Sequence, residues 1–236
     1  MKKIVVLSIF MLIGLLAMLS VPGCGPGEAD PDEIVLRVNE REITKAEYEQ
    51  RLNDQKEMMA DYLQQMPEEQ RPMMEQQMEM SLREQLKTHL VLLEVARERG
   101  LEVTEEDIDE FIDQQQLAPG EFEQILEHFN VTEEELRDDL REDVLIQKLI
   151  DQGTADEQVE VTDEAVEEYY QQHQHQMAGP DGEVPPLEEI EEQIRLEIES
   201  QQQQQLINQF IDPLLEDAEV EENWPERDFD QLSFPQ

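Results

Sequence analysis

Apolar side chains recur every three or four residues along most of this chain, and this spacing constrains the fold more than any other feature. Between residues 72 and 99 the apolar positions are Met74, Met78, Leu82, Leu86, Leu90, Leu93 and Ala96. Side chains at these intervals share one face of a helix, and that face must pack against another element. Residues 187–215 carry a second stripe of the same kind. The chain is therefore predicted to be mainly α-helical.

Only short β-type runs interrupt the helical spacing. Residues 34–38 form one such run, residues 159–161 alternate in the same way, and Ala218 with Val220 favours a last short strand. Apolar residues make up 38% of the chain and aromatic residues 5%, which is low for a large β-sheet core. The sequence thus predicts thin helical layers with a few short strands, rather than a sandwich or a barrel.

Several helix boundaries can be read from the sequence. A Thr followed three residues later by Glu is the spacing of a capping box, in which each side chain accepts a hydrogen bond from the other's backbone N–H. This spacing occurs in Thr44 with Glu47 and in Thr132 with Glu135. Gly100 and Gly153 follow apolar stripes, and each is predicted to end a helix.

The first residues have the layout of a secretory signal peptide. Lys2 and Lys3 give a basic start, residues 4–19 form an apolar stretch that is short for a membrane-spanning helix, and small residues follow. Residues 1–23 are therefore predicted to be removed as a signal peptide. This prediction places the mature chain outside the cytoplasm.

Cys24 is the one cysteine of the chain, and it directly follows Val21, Pro22 and Gly23. This segment resembles the lipobox of bacterial lipoproteins, in which the cysteine is acylated and becomes the first residue. Two or three acyl chains are enough for stable attachment to a membrane. The alternative is an ordinary secreted protein with a free thiol. Residues 24–33 are rich in Gly, Pro and acidic residues and are predicted to be a flexible tether.

The chain carries 60 Asp and Glu residues against 17 Lys and Arg, a formal net charge of −43 at pH 7. Nucleic-acid binding needs clustered Lys and Arg to contact phosphates, so this class of partner is excluded. A single cysteine also excludes an internal disulfide or a Cys-x-x-Cys pair. Such acidity is typical of proteins that work in high salt, and it can also keep an adhesive surface soluble or steer basic partners.

No group of residues in the sequence suggests catalysis. There is no Ser/His/Asp set, no phosphate-binding loop and no dinucleotide fingerprint. His173 and His175 are two residues apart, a spacing that points side chains away from each other on a helix, so no metal site is predicted there. The sequence therefore predicts neither an enzyme nor a bound metal or cofactor.

The order of these segments resembles one protein family over residues 34–222. Residues 35–48 (VLRVNEREITKAEY) resemble the opening hairpin of the SurA and PrsA group of extracytoplasmic chaperones. Residues 96–112 (ARERGLEVTEEDIDEFI) and 129–150 (FNVTEEELRDDLREDVLIQKLI) are similar to the helices that follow in that family. Residues 186–221 look like its C-terminal helix and strand. The resemblance implies a SurA-like, trigger-factor-like helical chaperone domain whose long C-terminal helix packs back on the core.

The chain departs from this family at one place. SurA and PrsA proteins usually carry parvulin prolyl-isomerase domains of about 90 residues before the closing helix. Here only a loop at residues 171–186 is available, between an N-terminal part at 34–170 and a closing helix at 187–222, with a tail at 223–236. The resemblance therefore implies a chaperone domain without isomerase chemistry.

Methionine is concentrated in one short segment. Seven of the eleven Met residues lie between Met58 and Met80. Flexible, polarisable Met side chains suit promiscuous binding surfaces, and the predicted client-binding residues are Met59, Met66, Met73 and Met80. Two alternatives remain open, namely Met as filler in a helical core and thioether binding of Cu(I).

These observations together predict an extracytoplasmic chaperone, anchored in the membrane by lipid at Cys24. It would bind unfolded or extended segments of exported proteins. The alternative is a structural envelope lipoprotein that docks a single folded partner. A homodimer formed through swapped helices would also suit an open helical fold. The discriminating property is binding breadth, since a chaperone protects several unrelated unfolded proteins.

Overall fold

The computed structural model describes residues 31–114, 120–129, 131–157, 159–175, 177 and 184–225. The predicted signal peptide, Cys24, most of the predicted tether and residues 226–236 of the predicted tail lie outside the described residues. Within the described ranges the chain forms eight helices and one three-stranded sheet, so the prediction of a mainly helical fold is confirmed. None of these helices combines the length and the apolar character needed to span a membrane.

The elements follow one another in this order along the chain. They are β1 (Ile34–Val38), β2 (Arg41–Thr44), α1 (Lys45–Met58), α2 (Ala60–Gln65), α3 (Arg71–Glu98), α4 (Glu105–Gln114), α5 (Glu121–Phe129), α6 (Glu133–Thr154), α7 (Asp163–His173), α8 (Leu187–Asp217) and β3 (Val220–Glu222).

The predicted capping boxes form at both sites. Thr44 Oγ1 accepts from the backbone N–H of Glu47 at 3.2 Å, and Glu47 Oε2 accepts from the backbone N–H of Thr44 at 2.7 Å. Thr132 and Glu135 make the same reciprocal pair. These bonds satisfy backbone donors that the first turn of a helix leaves without partners. Gly100 ends α3 as predicted, with a positive φ of 68° that glycine adopts at little cost.

Gly153 does not end a helix, which corrects the sequence-based prediction. α6 continues to Thr154, and Gly153 lies inside its last turn. A Cβ atom at this position would overlap the ring of Phe210 on α8. The glycine therefore permits the close approach of an aromatic side chain, and it has no role in turning the chain.

β1 is the central strand of the sheet and is antiparallel to both neighbours, in the order β2-β1-β3. Val38 pairs with Arg41 across a tight turn, in which Asn39 has a φ of 52°. Val38 also pairs with Val220, and the backbone N–H of Asn223 donates to the carbonyl of Val35 at 2.9 Å. The last strand predicted from the sequence is thus present and returns to the first.

Residues 159–161 do not form a strand, although their alternating pattern favours one. The backbone carbonyl of Val161 accepts a hydrogen bond from Arg195 Nη1 on α8 at 3.1 Å. A helix side chain, instead of a neighbouring strand, thus takes up this backbone acceptor, and the Val161 side chain packs with α7 and α8.

Contacts divide the described chain into two compact units. Residues 150–213 form one unit, here called the inserted unit, and residues 31–149 with 214–225 form the other, here called the main unit. In sequence terms, the inserted unit interrupts the main unit. α6 and α8 each contribute to both units, and the divisions fall after Leu149 and after Pro213.

The main unit has a core in which the sheet packs against α1 and α3. Its buried residues are Val35, Leu36, Val38, Ile43, Tyr48, Leu52, Leu82, Leu86, Leu90 and Val91. Leu214, Leu215 and Trp224, from the end of α8 and beyond, pack against this cluster. The C-terminal part of the chain therefore completes the core formed by the N-terminal part, as predicted.

Two further clusters of buried apolar residues lie away from the sheet. In the main unit, α4, α5 and α6 enclose Ile108, Phe111, Val131, Leu136, Leu140 and Val144. In the inserted unit, α7 and α8 enclose Val166, Ile194 and Ile198. These two clusters contain six and three buried residues.

Candidate protein-binding surface

Exposed apolar side chains are concentrated at one end of the α1–α3 region. In the described part of the chain, large apolar side chains that are mostly exposed are Met58 (56%), Tyr62 (53%), Met73 (54%), Met80 (60%) and Leu196 (47%). Four of these five lie within the 23 residues from 58 to 80. We call Met58, Tyr62, Met73 and Met80 the methionine surface. Clustered exposure of this kind marks an interaction site more often than scattered exposure does.

Short-range contacts hold the elements of this surface together. Lys56, near the end of α1, forms an ion pair with Glu75 in the second turn of α3, with Nζ and Oε2 2.7 Å apart. The Arg71 guanidinium, at the start of α3, donates to the carbonyls of Gln64 and Met66 at 3.2 and 3.3 Å. These bonds fix α2 between the end of α1 and the start of α3.

Met73 and Met80 lie on the same side of α3, because they are seven residues, or about two helical turns, apart. Both project away from the buried stripe that contains Met78, which is only 5% exposed. α3 thus presents an apolar core face and, on another side, exposed methionines. More than half of the surface of each of these two methionines remains accessible to solvent.

The structure places the four predicted client-binding residues in two environments. Met73 and Met80 are exposed, whereas Met59 and Met66 are half-buried. Met78 belongs to the buried stripe, so the core-filler interpretation applies to this residue. Met58 and Tyr62 are also exposed, although the sequence does not single them out as binding residues. They lie beside the boundary between α1 and α2, and the spacing of apolar residues does not show where a helix ends.

A second group of polar side chains joins β2, α3 and α6. Glu142 on α6 accepts a hydrogen bond from Arg41 Nη1 of β2 at 3.2 Å through Oε1. Its other oxygen lies 3.0 Å from His89 Nε2 on α3. These contacts, with the hydrogen bond to His89 as the largest cause, lower the pKa of Glu142 below its usual value.

Two further carboxylates on α6 have the opposite shift. Burial raises the pKa of Asp143 to about 6, with a smaller contribution from the neighbouring carboxylates Glu142 and Asp139. The pKa of Asp139 is also raised to about 6, first by burial and then by repulsion from nearby carboxylates. Sequence patterns do not reveal this group, because its members come from separate elements.

Perturbed carboxylates can indicate catalysis, but here they have a structural explanation. The hydrogen bonds of Glu142 connect α6 to the sheet and to α3. Across the described ranges, no group of three His, Cys, Asp or Glu residues has a geometry suited to a metal ion. His173 Nδ1 donates to the carbonyl of Tyr169 at 2.9 Å and its ring stacks on the Tyr169 ring, while His175 is exposed.

Comparison with known proteins gives one result. A family described as SurA-like N-terminal domain matches residues 1–150, which is more than half of the chain. The match ends before residues 171–186, the segment that the sequence resemblance predicts to stand in place of a parvulin domain. No curated protein and no solved structure matches the chain. The family match agrees with the helical fold and with the opening hairpin described above. The chain therefore belongs to the family of SurA-like N-terminal domains.

Proposed function

We propose that this chain is a lipid-anchored extracytoplasmic chaperone that binds unfolded or extended segments of exported proteins through the methionine surface. The observation that carries the proposal is the exposure of four large apolar side chains within residues 58–80. Membership of a chaperone-like, extracytoplasmic family supports it. The proposed anchor, Cys24, and the proposed signal peptide, residues 1–23, rest on the sequence alone.

Binding by this surface would be weak at each contact. Each methionine is already about half covered, so a client side chain would remove only part of its apolar area from water. Completing the burial of such a side chain contributes about 1 kcal/mol. Several contacts of this size hold an extended segment and still allow its release. Because Met has three rotatable bonds, the same surface can accommodate client side chains of different shapes.

Prolyl-isomerase chemistry is not part of the proposed function. α7 ends at His173 and α8 begins at Leu187, so residues 174–186 are all that separates them. This segment is far shorter than the roughly 90 residues of a parvulin domain. The proposed activity therefore consists of binding and release.

The proposal can be tested with a surface variant in which Met58, Met73 and Met80 are changed to Gln. Glutamine keeps the length and helix preference of Met but removes most of its apolar character. Because these side chains are mostly exposed, we expect the free energy of unfolding to change by less than about 0.5 kcal/mol. Protection of several unrelated unfolded proteins against aggregation, followed by light scattering, should fall strongly.

Two control variants separate binding from folding. Leu196→Gln changes an exposed apolar residue in the inserted unit and should leave protection unchanged. Met78→Gln changes a buried residue and should destabilise the chain by about 2–4 kcal/mol. Unchanged protection by a well-folded surface variant would refute the proposed site. Saturable binding of one folded partner, with no protection of unfolded proteins, would instead favour the structural lipoprotein.

A further inference from the structure

The methionine surface is bordered by carboxylates that have no cations among them. Residues 57–70 contain four acidic residues and no Lys, Arg or His. All four are exposed, and they are Glu57, Asp61, Glu68 and Glu69. Glu57 directly precedes Met58, and Asp61 directly precedes Tyr62. Glu68 and Glu69 lie in the turn that joins α2 to α3.

The cations nearest to this segment in sequence are already engaged. Lys56 is paired with Glu75, and the Arg71 guanidinium donates to two backbone carbonyls. Further along α3, Arg83 donates to Tyr48 Oη and to the carbonyl of Pro225. In the described part of the chain, none of the four bordering carboxylates forms an ion pair.

Other acidic faces of the main unit are arranged differently. Asp109, in the middle of α4, and Glu133, at the start of α6, both pair with Arg137, at 2.7 and 3.0 Å. Asp107 pairs with Lys148 at 2.9 Å. The negative charge of these α4 and α6 carboxylates is therefore compensated by Arg137 and Lys148 of the chain itself. Around the methionine surface none of the four bordering carboxylates has such an ion pair in the described residues, so a cation that pairs with them directly would have to come from a partner.

We infer that the methionine surface selects extended segments in which Lys or Arg residues accompany apolar side chains. This inference rests on the proposed function and adds the charge of the client to it. The apolar side chains of such a segment would cover Met58, Tyr62, Met73 and Met80. Its cations would lie beside the four bordering carboxylates and neutralise their repulsion. Complementary charge of this kind favours the encounter and discriminates against acidic segments.

The expected preference follows from the strength of exposed ion pairs. Each such pair changes a binding constant by a factor of about two to five at low salt. Two or three pairs formed together give a preference of about tenfold for a basic segment over an uncharged one. An acidic segment would bind still more weakly. Because the pairs are exposed, added salt should screen them and reduce the preference.

The test uses two fluorescent, unstructured peptides of equal length with the same Leu and Tyr residues, one carrying Lys and the other Glu. Binding is followed by fluorescence anisotropy at low and at high salt. We expect the wild-type chain to bind the Lys peptide at least about tenfold more tightly at low salt, with the difference shrinking at high salt. Equal binding of the two peptides would overturn the inference.

A matched pair of variants locates the effect. The first carries Glu57→Gln, Asp61→Asn, Glu68→Gln and Glu69→Gln, and it should lose the preference for the Lys peptide. The second removes the same number of charges elsewhere, at exposed residues without ion pairs in the described structure. Its changes are Glu98→Gln, Glu110→Gln, Glu167→Gln and Glu192→Gln. It should keep the preference, and an equal loss in both variants would assign the effect to net charge and overturn the inference.

Two outcomes separate this inference from the proposed function. If the Met58, Met73 and Met80 variant binds both peptides as tightly as the wild type does, the proposed site itself is wrong. If it binds both peptides more weakly while the wild type shows no charge preference, the proposed site stands and the inference fails. Sedimentation of the peptide-free chain tests a second copy as the occupant. If the wild-type chain is a dimer and the Met58, Met73 and Met80 variant is a monomer, a second copy of the chain occupies the methionine surface. That result would overturn the inference that a basic segment binds there.

Discussion

The contact between the two ends of the main unit can be tested by changing Trp224 to Ala. The Trp224 ring lies 5.1 Å from the Tyr48 ring, centroid to centroid, at an interplanar angle of 51°. The Arg83 guanidinium lies 5.5 Å from the Trp224 ring and 5.7 Å from the Tyr48 ring. Trp224 is half-buried and packs against the sheet core, whereas Tyr48 is fully buried.

The size of the effect follows from these contacts. A half-buried Trp side chain removes on the order of 100 Å² of apolar surface from water, which contributes about 2 kcal/mol. The tilted ring pair adds about 0.5–1 kcal/mol and the cation–π contact about 0.5 kcal/mol. We therefore expect Trp224→Ala to lower the free energy of unfolding by about 3 kcal/mol. The backbone hydrogen bonds of Asn223 and Pro225 remain available in the variant.

Urea unfolding followed by far-UV circular dichroism measures this change. Fluorescence cannot serve, because Trp224 is the single Trp of the chain. Trp224→Phe is the matched control, since it retains an aromatic ring against Tyr48 and should cost only about 1 kcal/mol. A loss below about 0.5 kcal/mol for Trp224→Ala would refute the reasoning, because it would mean that the closing segment adds little to the core.

Three further predictions concern other parts of the chain. Cys24→Ser should move the protein from the membrane fraction to the soluble extracytoplasmic fraction, and membrane retention of that variant would contradict the proposed anchor. Asp143 has a raised pKa of about 6 in the folded chain, against about 4 when unfolded, so the folded state loses stability as pH rises from about 4 to about 6, and the loss is complete above that range. Asp143→Asn should therefore stabilise the chain by about 1 kcal/mol at pH 7.5 and have little effect near pH 4, as measured by urea unfolding. Gly153→Ala should destabilise by about 1–2 kcal/mol, because overlap with Phe210 outweighs the helix preference of Ala, and Phe210→Leu in the same chain should restore most of the loss.

The sequence predicts those features that depend on neighbouring residues. The capping boxes at Thr44 and Thr132 need only residues three positions apart, and the stripe on α3 needs only a regular helix. Both predictions are confirmed. The buried face of α3 is wider than predicted. Val91 and Leu92 are also buried, because α3 is covered on more than one side at these residues.

Features that depend on distant residues could not be predicted in this way. The role of Gly153 is set by Phe210, which follows it by more than 50 positions in the sequence. The pKa shifts on α6 depend on burial and on residues of β2 and α3. Methionines at similar spacing proved to be buried, half-buried or exposed, because exposure depends on where neighbouring elements end. Local patterns state which residues are apolar, while tertiary packing decides which of them remain accessible.

The pairing of β1 with β3 governs the order in which the main unit can fold. Arg37 on β1 and Glu221 on β3 are 184 positions apart in sequence, yet their side chains lie 3.0 Å apart. Closing so long a loop has an entropic cost that slows the formation of the contact. A chain that emerges from its N-terminus onward therefore leaves one edge of β1 without its strand partner until nearly all of the described residues are available. During that interval the chain itself exposes an unfinished sheet edge, and completion of its fold is a late event in its own biogenesis.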